Sequence, residues 1–167
     1  MKPILNLFWQ ICLLRQSPAY VPTYGWFVTL VVVANVTCST LVSLGLSDEI
    51  DPVQTLTSVV VGQSTNAALI MLALSFKNLG QRFLTTITAV LGCDLLITGC
   101  LALVLPVVRL FGSAAVSLVL LAFMIWSVAV AGFILHRALQ TQLPVGIGVA
   151  MGISLMSVIM GQVATGQ

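Results

Sequence analysis

Charge is nearly absent from this chain: six Lys or Arg and four Asp or Glu are its formally charged residues, 6% of 167 positions. A water-soluble domain carries about a quarter of its residues as charged side chains, so a soluble fold is excluded. The net charge of +2 is spread over basic residues that stand singly, which leaves no surface for nucleic acid. Histidine occurs once, at His136, so neither paired axial haem ligation within the chain nor an HExxH zinc site can be assembled. Cys12, Cys38, Cys93 and Cys100 contain no C-x-x-C pair and read as small buried apolar residues. Met151, Met156 and Met160 read as adaptable packing rather than metal ligands. Gly92-Cys93-Asp94 is similar to the aspartate motif of intramembrane proteases, but the second membrane aspartate is missing. Ser154 lies in Gly-Ile-Ser-Leu-Met, without the following glycine or the histidine partner of a serine intramembrane protease. These absences point away from an enzyme and from any cofactor.

What fills the sequence instead is apolar: 59% hydrophobic residues and a mean hydropathy of +1.16. The length admits about five membrane spans with short connections and no folded soluble domain besides. The expected class is therefore all-α, one membrane domain built as a polytopic helical bundle. Spans are predicted at about 25–46, 53–75, 83–105, 114–135 and 144–164. Residues 1–16 are too short between Lys2 and Arg15 to cross. Lys2, Asn6 and Gln10 recur every four residues opposite Leu5, Phe8, Trp9 and Cys12, which predicts an amphipathic helix lying in the membrane interface. A signal peptide with Ser17-Pro18-Ala19 as its cleavage site competes, although Asn6 and Gln10 interrupt its apolar region.

Prolines and turn residues set the boundaries. Ser17-Pro18 stops the first helix and Pro22 keeps the connection extended, with Tyr20, Tyr24 and Trp26 as an aromatic belt. Ser47 or Asp51 with Pro52 starts the second span, and Pro144 starts the fifth. Pro106, Arg109 and Gly112 are expected to form a turn after the third. Lys2, Arg15, Lys77, Arg82 and Arg137 fall on one side of this layout and Arg109 alone on the other, which predicts a cytoplasmic N-terminus and an outside C-terminus in a bacterial-type inner membrane. Asp48, Glu49 and Asp51 then lie outside.

Counted from the cytoplasmic ends, Asn35, Asn66, Asp94, Ser127 and Ser154 all fall at a depth of roughly 12–17 Å. A carboxylate at mid-bilayer costs roughly 2.5–3.5 kcal/mol on insertion scales, so Asp94 should face protein or water rather than lipid. Gln63, Ser64 and Thr65, near Asn66, and Thr98, four residues after Asp94, extend this candidate layer. One reading makes it interhelical glue with a protonated Asp94; the other makes Asp94 a proton or cation site, or the partner of a base from another subunit. The fifth span carries Gly146, Gly148, Gly152 and Gly161, of which Gly148 and Gly152 have GxxxG spacing and form a candidate helix-packing seam, within the chain or toward a partner.

An amphipathic N-terminal helix ending in LLRQSPAYVP, followed by five short-looped spans, resembles the small bacterial members of the Ypt-interacting-protein (YIP) superfamily. The resemblance covers nearly the whole length and is one of architecture; the aspartate-leucine-tyrosine-glycine-proline signature of eukaryotic members is absent. It implies an integral membrane adaptor, mostly without enzymatic activity, and carries over no functional residue. The expected function is a non-catalytic accessory or assembly subunit, with the lipid bilayer and other integral membrane subunits as partners. The alternative is a small transporter or channel subunit using the layer centred on Asp94.

Overall fold

The computed structural model describes residues 2–14, 24–46 and 52–165. The expectations placed on Arg15, Ser17 to Ala19, Tyr20, Pro22, Ser47, Asp48, Glu49 and Asp51 lie outside the described residues, as do the side chains of Lys2 and Leu5. Among the described residues the chain is helical without strands: α1 (Lys2–Cys12), α2 (Gly25–Leu46), α3 (Pro52–Phe76), a 3₁₀ turn (Gly80–Arg82), α4 (Phe83–Arg109), α5 (Ser113–Leu139) and α6 (Leu143–Thr165). Helices α2 to α6 are long and apolar enough to cross a membrane.

Such segments fold as helices because in an apolar surround every backbone N–H and C=O must find its partner within the segment. That demand outweighs the cost of the many β-branched residues in α2 and α3. Pro52 and Pro144 sit in first turns, where their missing N–H costs nothing. Asn78 and Gln140 take the left-handed conformation just past α3 and α5, at φ 55° and 51°. There the Leu79 and Thr141 amides reach back to the Leu74 and His136 carbonyls, at 2.9 and 3.2 Å, and close the helix ends. Arg82 and Gln140 tie these two connections together: with its amide oxygen turned to Arg82, Gln140 accepts from both terminal guanidinium nitrogens at 3.1 Å.

The third span departs from expectation at its end. Helix α4 runs through Pro106 to Arg109 instead of breaking. Only one turn follows the proline, and continuing it carries Arg109 to the Gly45 carbonyl near the end of α2, where helix carbonyls lack partners of their own. The turn itself is made by Leu110 to Gly112, with Gly112 at φ 95°.

The five long helices close a ring in the order α2, α4, α5, α6, α3. Helix α6 is held by a stripe of Gly146, Ala150, Ile153, Ser157 and Gly161. A Cβ at Gly146 would lie 2.6 Å from the Gly132 carbonyl oxygen and 2.8 Å from the His136 nitrogen of α5. One at Gly161 would lie 3.1 Å from the Ser58 carbonyl oxygen of α3. These close backbone approaches are the reason for glycine at both positions. Gly148 and Gly152 turn the other way: both are exposed, with nothing within 4 Å of an added Cβ. Two residues from Gly146 is about 200° of helix rotation, which takes the Gly148/Gly152 pair to the opposite face from the seam that packs within the chain.

Helix α1 crosses α4 at Gly92 and Cys93 rather than resting beside the helix ends. Phe8 lies against Gly92, where an added Cβ would overlap its ring, and stacks on Phe27 at a centroid distance of 6.3 Å. The Cys12 thiol faces the Cys93 carbonyl at 3.9 Å, and the Trp126 indole donates to the Cys12 carbonyl at 3.1 Å. That carbonyl belongs to the open end of α1, so the indole acts as its cap. Gly92 is ten residues along α4 from Arg82, about 15 Å of helix rise, which is deeper than a helix lying at the level of the span ends. Asn6 and Gln10, the polar stripe, remain outward and hydrogen-bond each other at 3.4 Å.

Candidate functional site

Asn35 is the anchor of the polar layer. It is fully buried, and both sides of its amide are used. Its Nδ2 donates to the Asp94 Oδ2 at 3.0 Å and to the Leu91 carbonyl at 3.1 Å, while its Oδ1 accepts from Gln63 Nε2 at 3.0 Å. One side chain from α2 thereby links α3 to α4 and fixes the direction in which the Asp94 carboxyl points. Gln63 and Ser127 also stand within reach of that carboxyl.

Beyond Asn35 the carboxyl opens on a cavity of about 130 Å³ enclosed by α3, α4, α5 and α6. Its polar wall is Gln63, Asn66, Asp94, Ser127 and Ser154; Ile70, Ile97, Val130, Ile134 and Ile153 supply much of the apolar remainder. No basic residue lines it. Asp94 is half-buried because of this opening, although it sits deep between helices. The Gln63 Oε1 is buried and has no hydrogen-bond partner among the described residues. An acceptor in that state costs about 1–3 kcal/mol unless a donor or a cation meets it. The cavity is wide enough for several water molecules, and each would find polar partners on its wall.

A second cavity, about 340 Å³, lies on the other side of Gln63 and Asn66 and shares both residues with the first. Its wall adds Ser39 of α2, Ser58 and Gly62 of α3, and Ser157, Gly161 and Gln162 of α6. Ser58 is near the start of α3 and Gln162 near the end of α6, so this cavity leads from the Asp94 level to the end of the bundle opposite Arg82 and Gln140. Gln63 and Asn66 stand between a narrower polar chamber and a more open groove.

Of the residues singled out from the sequence, Asn35, Gln63, Asn66, Asp94, Ser127 and Ser154 are brought together. Thr98 is not: it is absent from the cavity wall and makes no side-chain hydrogen bond among the described residues. Four residues along α4 carry it about 6 Å further up the helix and about 40° around it. Ser64 is exposed, and Thr65 bonds its own helix at the Val61 carbonyl, 2.8 Å away. Sequence reasoning missed the groove of Ser39, Ser58, Ser157 and Gln162. Its only trace was the spacing of Ser154, Ser157 and Gly161 on α6, which reads equally well as packing.

Among the described residues no group of three His, Cys, Asp or Glu side chains is placed to hold a metal ion. The four cysteines are free thiols. The arrangement offers oxygen atoms, one carboxyl and water-sized space. No protein-family model matches the chain, and neither a curated protein nor a solved structure matches it.

Proposed function

We propose that this chain is a non-catalytic integral membrane subunit, multi-pass with a cytoplasmic N-terminus, whose working site is the polar chamber at Asp94. There it binds a small polar or cationic solute that arrives through the groove beyond Gln63 and Asn66. The observation that carries the reading is that one carboxyl, held by Asn35, faces a chamber whose other polar groups come from three further helices. Interhelical glue requires no such space: hydrogen-bonded side chains that only join helices pack directly on one another. The orientation rests on the five-to-one distribution of basic residues, and it places the groove on the outer side.

Cysteine accessibility tests the site. With the four native cysteines replaced by alanine, a Ser154→Cys variant in membranes should react with a small water-soluble cationic thiol reagent applied from outside. A thiol that stays unmodified there, while the variant remains folded, contradicts the reading.

The outward pair Gly148 and Gly152 favours a second role alongside the first, assembly with another membrane subunit, because open small residues one turn apart let a foreign helix backbone approach. Gly148→Leu with Gly152→Leu should leave the fold intact and strip copurifying membrane proteins from the mild-detergent preparation. Unchanged partner recovery removes that role.

A further inference from the structure

We infer that the Asp94 chamber is a site for a monovalent alkali cation of the sodium class; this deepens the proposed function and rests on its reading of the chamber as a binding site. The donor set makes the argument. Asp94 contributes the single formal negative charge of the wall, and one positive charge neutralises it. A divalent ion would bring an uncompensated charge into a low-dielectric interior, which is strongly unfavourable. The remaining polar groups are amides and hydroxyls, from Gln63, Asn66, Ser127 and Ser154. Hard cations take such oxygen ligands, whereas soft metals seek thiolate or imidazole.

The buried Gln63 Oε1 gives the assignment its geometry. Gln63 is oriented by its own donation to Asn35, so the amide oxygen is the atom left over, and no protein donor meets it. The same Asn35 occupies Asp94 Oδ2, and Gln63 and Ser127 stand within reach of the same carboxyl on the chamber wall. Asn35 thus fixes two residues that carry acceptors, Gln63 neutral and Asp94 charged, on the wall of a chamber that has no lysine, arginine or histidine to answer them. A volume of about 130 Å³ suits one small cation that keeps part of its water, with the wall supplying the other oxygens.

The test uses the purified full chain in mild detergent and compares sodium chloride with choline chloride at equal ionic strength. Thermal stability of the parent should rise with sodium concentration and saturate, since a ligand that binds only the folded state stabilises it by mass action. Asp94→Asn should lose the difference between the two salts. Where Asp94→Asn fails to fold, Asn66→Ala serves instead: it removes a wall oxygen without touching the Asn35 bonds, and should raise the half-saturating sodium concentration by about tenfold. Equal stability of the parent in both salts, or a sodium response that Asp94→Asn or Asn66→Ala leaves unchanged, overturns the assignment. The thiol assay separates this failure from that of the chamber itself. In the cysteine-free background Ala131→Cys, on the chamber wall but supplying no side-chain oxygen, serves as the probe: labelling that sodium slows supports the cation; labelling indifferent to sodium sinks the cation and keeps the chamber; no labelling sinks both.

Discussion

Helix α4 has two sides that differ more than their sequence does. On one, Gly92 receives the Phe8 ring and Ala89 is completely buried. On the other, two residues along from Gly92, Asp94 opens on a chamber that Cys93 also lines. The first side is packed until only glycine fits; the second keeps space that isoleucine or leucine from neighbouring helices could have filled. A protein interior is ordinarily close-packed, and a void costs stability in proportion to its volume. Space retained beside an oriented carboxyl is what supports the proposed site, and the packed side holds the helix in place while its other side remains open.

The packed side gives the larger expected effect. Gly92→Leu would drive a side chain into the Phe8 ring, which Phe27 already holds. The substitution should destabilise the bundle by about 2–3 kcal/mol and free α1, read as a lowered unfolding midpoint and as new protease cleavage near residue 13. A stable Gly92→Leu with α1 still protected would erase the difference between the two sides. The open side should respond less to change, except at its anchor. Asn35→Ala strands Asp94 Oδ2 and Gln63 Nε2 and removes the extra donor to the Leu91 carbonyl, which keeps its own helix bond. Water in the chamber can reach part of that set, so the cost should be roughly 1–2 kcal/mol in denaturation rather than the sum of three lost bonds. A neutral Asn35→Ala would mean that Asp94 is oriented by something other than α2.

The spans were legible from the sequence because each is a long apolar run between turn residues, and the structure brings together the five residues of the depth count, Asn35, Asn66, Asp94, Ser127 and Ser154, with Gln63 beside them. Depth is fixed by rise along a helix and needs no knowledge of neighbours. Rotation about the axis is another matter, and it decided what was missed. Thr98 shares a helix with Asp94 but not its wall, and Gly148 and Gly152 have the spacing of a seam while Gly146 and Gly161 do the packing. The helices here are apolar all round, so no polar stripe marks which way each one faces. The course of α4 through Pro106 depended on the distant Gly45 carbonyl. The docking of α1 at Gly92 depended on a cleft beside α4 that no local pattern announces.

The contrast between the two sides of α4 is tested most directly by one ratio of rates. In the cysteine-free background, Ser154→Cys faces the chamber and Ala89→Cys lies on the packed side, in positions buried from lipid and solvent alike only in the second case. Reaction with the same small cationic thiol reagent should be faster at position 154 by roughly tenfold or more, because position 89 reacts only when the bundle opens locally. Equal rates at the two positions, in variants that keep the parent's unfolding midpoint, would contradict an open polar site at Asp94.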